Sequence, residues 1–351
     1  IYLINNNGDN MKQLKTLVAL IAGLFAFTSV QAGELSVTGS MQATYQSEVD
    51  AVTGNPLGMN TDLTFSGSTD TDFGEATWTM ATDGTFLSES GADHSFKIAT
   101  SLGTIGIGNA GDAANAVDDI TPTAFEEANG SGSGTYTTDF GSGMDGSMSL
   151  TYANGDLMGT GVSVAYSYYP KLDGATNNEK GASTTTSNSA NSAQSINVGL
   201  PLASLPVIGD TVIGGAKITL GYEESDNLTA ANQDKEGGTV AVNLPVGPLS
   251  IGYQKKAYAA QQTTNVDTFF KDDIYGVAYA ISDALAISWN VIESTQHAQS
   301  GTNVEQETKA LNLAYTVGGL TLGFQDAKTS NAGYTAATDD DTRTLSVKTA
   351  F

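Results

Sequence analysis

The chain has 351 residues, 38 acidic against 14 basic side chains, a formal net charge of −24 at pH 7 and no cysteine. That charge balance repels nucleic acid, and the missing thiols exclude a disulfide framework and a thiolate metal site. High acidity alone can signal disorder, but 14 Tyr, 12 Phe and forty glycines against seven prolines fit a folded chain of many strands and turns.

Residues 1–10 fit no targeting pattern and read as upstream sequence translated through. Residues 11–32 carry Lys12 and Lys15, an apolar run from Leu17 to Phe27, and Val30-Gln31-Ala32 as a small-residue cleavage site. That is the pattern of a secretory signal peptide, with an apolar core too short to span a membrane. Cleavage after Ala32 would leave one domain, 33–351, with 37 acidic against 12 basic residues. No later segment is apolar for long enough to be a membrane helix.

From Leu35 one pattern repeats. Leu35, Val37, Met41 and Tyr45 alternate with Ser36, Thr38, Gln42 and Thr44, a period of two that predicts a strand with one apolar and one polar face. The same alternation recurs down to Leu345, Val347 and Phe351, with no convincing helical period between. The connections alternate in length. Eight long ones lie near 47–59, 83–92, 110–146, 170–192, 224–236, 258–270, 294–305 and 328–341. Seven short ones lie near 69–73, 100–103, 154–160, 202–213, 245–248, 282–284 and 318–319. Fifteen connections give sixteen strands, and an even count with tight turns at one end and long loops at the other is the form of an outer-membrane barrel. The run Thr135 to Phe140 is assigned to the tail of the third long loop, because an odd strand total is atypical of such barrels.

The predicted fold class is therefore all-β, a 16-stranded antiparallel transmembrane barrel with long external loops and short periplasmic turns. Sixteen strands close too wide a ring for side chains to fill. The inward sets are Ser, Thr, Asn, Gln, Gly and charges, and the outward sets are apolar residues that would form an intolerable patch in water. Tyr45, Trp78, Tyr152, Tyr168, Tyr253 and Tyr315 are expected near strand ends as an interfacial girdle. Closing the sheet lets every backbone group pair, as a bilayer demands. In the third long connection, from Asn109 to Gly134, the alternation stops for about two dozen residues. Five carboxylates appear there: Asp112, Asp118, Asp119, Glu126 and Glu127. Loops this long without secondary structure are usually functional.

The start Glu34-Leu35-Ser36-Val37-Thr38-Gly39, the run Thr104-Ile105-Gly106-Ile107-Gly108-Asn109 followed by Asp112, and the terminal Phe351 behind Leu345 and Val347 resemble the general porins of Gram-negative outer membranes. The likeness is greatest to those of alphaproteobacteria, covers residues 33–351, and is specific in architecture but loose residue by residue. It implies a homotrimer of channels in outer-membrane lipid and lipopolysaccharide, each narrowed by a third loop folded into the lumen. It also implies a terminal Phe351 read by the outer-membrane assembly machinery. Porins of this kind often set arginines opposite that loop. Here the only arginine is Arg343, which strand parity turns outward with Leu345 and Val347. Parity turns Lys97, Lys217 and Lys348 inward, so Lys97 and Lys348 are the candidate cations facing the loop's five carboxylates. Acidic rings attract cations and repel anions, so passive diffusion of small hydrophilic solutes and ions with a cation preference is expected.

An enzyme is not expected. His94 and His297 are the only histidines, with no metal-ligand spacing, and there is no GxSxG elbow or P-loop. No cofactor is expected. Asp339-Asp340-Asp341 and Glu223-Glu224, placed in external acidic loops, offer oxygen ligands for Ca²⁺ or for a divalent bridge to lipopolysaccharide. Three adjacent carboxylates match no defined calcium loop, however. Two rival readings remain: a secreted all-β adhesin or surface-layer protein built as a sandwich, and a substrate-specific channel to whose inward aromatic track Tyr136 and Tyr169 would contribute.

Overall fold

A computed structural model of the protein describes residues 35–49, 53–83, 92–109, 112–128, 140, 144, 146–172, 190–205, 211–227, 233–259, 269–297 and 302–351. The signal-peptide stretch, the ten residues before it and Tyr136 lie outside the described residues, as does most of the run Thr135 to Phe140.

Sixteen strands form. The first eight are β1 (Leu35–Glu48), β2 (Leu57–Thr71), β3 (Gly74–Asp83), β4 (Ala92–Thr100), β5 (Gly103–Gly108), β6 (Ser149–Asn154), β7 (Ser163–Tyr169) and β8 (Ala190–Pro201). The second eight are β9 (Lys217–Asn227), β10 (Lys235–Val246), β11 (Leu249–Ala259), β12 (Phe269–Ala280), β13 (Leu285–His297), β14 (Val304–Val317), β15 (Leu320–Ser330) and β16 (Asp339–Ala350). They make one closed barrel in chain order, β16 returning to pair with β1 from Ser40↔Ala350 to Glu48↔Thr342. Every neighbouring pair is antiparallel. Among the described residues the sheet has no free edge and no second sheet to pack on, so they do not form the sandwich of the adhesin reading.

The period-two expectation holds around the ring. On β1 and β2 the register sets Val37 against Phe65 and Tyr45 against Leu57, and all four share the outer face. Leu35, Tyr45, Trp289, Leu313, Leu345 and Val347 all stand exposed on that outer face. Tight turns follow from local chemistry: Gly318 and Gly319 link β14 to β15 with φ of 57° and 82°, a left-handed pair whose twist suits a two-residue hairpin. Not every expected girdle residue sits at a strand end: Trp78 is fifth in the ten-residue β3 and Tyr253 fifth in the eleven-residue β11, both mid-strand.

Three expectations change. The strands reach further into the long connections than hydropathy suggests, because a strand continues through polar residues as long as its neighbours supply backbone partners. Asp339–Asp341 therefore opens β16, with Asp341 opposite Lys328, instead of lying in a loop. Glu223 and Glu224 likewise belong to β9, where successive side chains take opposite faces. Glu223 is buried inside with Lys235 Nζ 3.2 Å away, while Glu224 accepts the Tyr222 hydroxyl on the outer face. The two carboxylates do not converge on one ion. The third change concerns the interior, which is not wholly polar. Tyr258 and Phe270 cluster there with Ala114, Val117, Phe140 and Tyr334, and Ile274 and Ile292 cluster with Ala128, Ala310 and Ala327. Both clusters contain residues of the third long connection, so that connection lies inside the barrel.

Candidate functional site: an acidic loop seated on the inner wall

Residues 112–128 cross the interior from β7 to β16, touching strand after strand. The loop opens at Asp112, which is 6% exposed. Its Oδ1 accepts the N–H groups of Ala114 at 2.6 Å and Asn115 at 2.8 Å, closing a turn. Ala113 then donates to Ser167 on β7 and to Ser195 on β8, and its carbonyl accepts Asn197 Nδ2 at 2.5 Å. Further on, the Ile120 carbonyl accepts Asn243 Nδ2 of β10 at 2.6 Å, and the Ile120 N–H donates to Gln254 Oε1 of β11 at 3.0 Å. Asn290 of β13 donates to the Pro122 carbonyl at 2.9 Å, and Gln325 of β15 donates to the Glu127 carbonyl at 2.6 Å.

A loop has no ladder to satisfy its own backbone. Inward amide and hydroxyl side chains on successive strands replace that ladder here. Two glycines give the backbone room to approach. A Cβ on Gly252 would lie 2.2 Å from Pro122 Cδ, and one on Gly323 would lie 2.3 Å from Phe125 Cε2.

The five carboxylates divide into two groups. Asp112, Asp118 and Asp119 are turned to the wall. Asp112 holds the opening turn, and Asp118 Oδ1 and Asp119 Oδ1 lie 2.8 and 3.2 Å from Lys256 Nζ. Burial pushes the Asp118 carboxyl up to about 7; the Lys256 charge opposes this and the Asp119 charge adds to it. Glu126 and Glu127 come last in the loop, half-buried. Burial, and for Glu126 the neighbouring Glu127, raises both above the ordinary carboxylate range. The Gln42 side chain and the Lys348 charge act against the rise at Glu126.

Of the expected facing lysines, Lys348 is thus brought to the loop. Lys97 projects inward from β4, opposite Thr77 of β3 and Gly106 of β5, on the β2–β6 wall across the lumen. That wall, with β1 beside it, is rich in hydroxyls: Ser36 of β1 meets Ser66 at 2.6 Å and Thr79 meets Ser95 at 2.5 Å. Lys217 faces in at the short-turn end of β9, against Pro201 and Asn243. Arg343 faces outward as parity requires and pairs with Asp326 at 3.0 Å. Phe351 completes the ring through reciprocal 2.9 Å backbone bonds with Gly39. Tyr169 is 1% exposed against Met144, Leu172 and Ala193, so it does not line a solute path.

Sequence reasoning missed the loop's main wall partners, Lys256 and Gln254. The signal was present: with Ile251 and Tyr253 outward, strand alternation turns Gln254 and Lys256, one and three residues past Tyr253, inward. His94 lies on the outward parity of β4 beside Phe96, and His297 stacks on Phe269 with ring centroids 4.5 Å apart. Among the described residues, no group of three or more His, Cys, Asp or Glu could hold a metal ion.

No family model and no curated protein matches the sequence. Solved structures do match. The trimer form of in-vitro folded OmpT, an outer-membrane protein of Vibrio cholerae, has a TM-score of 0.57 at 11% identity, covering 92% of this chain and 100% of that one. Salmonella typhi OmpF in complex with daunomycin gives 0.60 at 14%, covering 91% and 98%. The anion-selective porin of Comamonas acidovorans gives 0.58 at 12%, covering 91% and 100%. At these identities the shared property is the fold: a closed sixteen-strand barrel like those of Gram-negative outer-membrane porins.

Proposed function

We propose that the protein is an outer-membrane porin, a water-filled channel for passive diffusion of small hydrophilic solutes and ions, with a preference for cations. The observation that carries this reading is the acidic loop seated along one side of the barrel interior, opposite a hydroxyl-lined wall bearing Lys97. Two arguments support the membrane setting. The outer face carries a belt of exposed apolar side chains, among them Ile251, Val277, Leu313 and Leu322, on a sheet closed on itself, and the solved barrels it matches include proteins described as outer-membrane proteins and porins. Export through residues 11–32, assembly through Phe351 and affinity with the alphaproteobacterial porins belong to the same proposal. So do association as a trimer, as in the trimer form of OmpT, contact with outer-membrane lipid and lipopolysaccharide, and the absence of enzymatic activity.

The shared fold does not by itself fix ion preference, since one barrel of this fold is an anion-selective porin; our reading assigns the preference to the charges of the loop and its seat. In this chain Glu126 and Glu127 are the loop carboxylates that neither close the opening turn, as Asp112 does, nor pair with Lys256, as Asp118 and Asp119 do. Within a screening length of about 8 Å at physiological ionic strength, such charges act on every ion that passes close to them. The test is a reversal potential in a planar bilayer under a salt gradient. Wild-type protein is expected to favour cations and E126Q/E127Q to lose most of that preference. Anion preference in the wild type would remove the selectivity claim, and absence of conductance would remove the channel.

A further inference from the structure

We propose that Lys256 sets the channel's ion preference by withdrawing two of the loop's carboxylates from the pore. The inference deepens the channel reading above and rests on it. Lys256 projects inward from β11, in register with Thr239 of β10 and Asp272 of β12, and its side chain is fully buried. A lysine there is costly unless opposite charges and hydrogen bonds meet it. Asp118 and Asp119 meet it from the loop at 2.8 and 3.2 Å. Two residues along the same face, Gln254 grips the carbonyls of Val117 and Asp118 at 2.9 and 2.5 Å. That grip fixes the backbone so that both carboxylates aim at the wall.

The charges around the ammonium are Asp118, Asp119 and Glu127 from the loop and Asp272 from β12. With Lys256 present, the first two are committed to it. Without it no ammonium faces these two carboxyls on the loop that narrows the channel. The sequence presents five loop carboxylates as equivalent, and Lys256 is what makes them unequal.

The experiment is a permeability ratio in planar bilayers under a salt gradient, with folding of each purified variant checked by gel mobility before and after boiling. K256Q is expected to shift the ratio toward cations by about threefold, the effect of one unit charge a few ångströms from an ion in screened water. K256R restores the wild-type value. D118N/D119N is expected to move the ratio the other way, toward anions, because two carboxylates facing Lys256 are then removed. An unchanged ratio in K256Q, or a shift in the same direction in both variants, overturns the proposal and leaves Lys256 a structural anchor. Should K256Q not fold, D118N/D119N decides alone, and no anion shift overturns the proposal. The result is separable from the parent reading. If E126Q/E127Q leaves the ratio unchanged while K256Q and D118N/D119N move it in opposite directions, this inference stands and the role given to Glu126 and Glu127 falls.

Discussion

The loop's seat depends most on Gln254, and Q254A measures that dependence. The side chain is fully buried. It donates to the carbonyls of Val117 at 2.9 Å and Asp118 at 2.5 Å and to Thr239 Oγ1 at 2.9 Å, and it accepts the Ile120 N–H at 3.0 Å. Alanine removes the three links to the loop. At about 1 kcal/mol net for each hydrogen bond, docking weakens by about 3 kcal/mol, with water from the lumen limiting any further penalty for unpaired backbone groups. A change of that size multiplies the undocked population by roughly 150-fold. Single-channel recording at fixed voltage would register undocking as flicker between conductance levels. Limited proteolysis between Ala113 and Ala128 would register it as faster cleavage, in proportion to the open population. If flicker and cleavage both stay within about twofold of wild type, the inward amide side chains are not what holds the loop, and the account of the seat given above is wrong.

Acidity should act on the same seat. The Asp118 carboxyl lies near 7 when docked against an ordinary value of 3.8, so the docked state binds its proton more tightly than a free loop does. Docking is then strongest below 3.8, weakens as pH rises from 3.8 to about 7, and stays flat above. Flicker should grow across that window in a bilayer pH series, and D118N should make the growth smaller, leaving the part due to the raised carboxyls of Glu126 and Glu127. For G323A, the added methyl meets Phe125 at 2.3 Å, a clash with a ring packed against backbone that costs about 1–3 kcal/mol. Flicker should rise while heat-modifiable mobility on gels stays normal, and a silent G323A would show that Phe125 repacks without moving the loop. In contrast, R343A removes an outward pair whose side chains are 53% and 27% exposed, worth less than about 1 kcal/mol. It should leave the permeability ratio unchanged, and a measurable shift would place Arg343 inside the lumen.

The barrel was legible in the chain because its cause is local. A strand sends alternate side chains to opposite faces, so Leu35 and Val37 against Ser36 and Thr38 already declare an apolar outside and a polar inside. The same parity turns Arg343 outward, where it pairs with Asp326, and sends Lys97, Lys217 and Lys348 to the opposite face. Alternating long and short connections gave the strand number, since in an up-and-down barrel each hairpin end is read from its own few residues. Strand ends were less legible: whether Asp339–Asp341 or Glu223–Glu224 continue a strand depends on partners in another strand and not on their own hydropathy.

Which of the loop's carboxylates the wall would hold lay beyond sequence reading. The loop's contacts join residues far apart in the chain, Ile120 to Gln254 across 134 positions and Asp118 to Lys256 across 138. No periodicity links such pairs, and five carboxylates in a row look alike until a wall approaches them. Period two determined that Lys256 and Gln254 face inward. Only the closed barrel, by bringing β11 against residues 117–120, decided that Asp118 and Asp119 would be held against the wall while Glu126 and Glu127 were left to the channel.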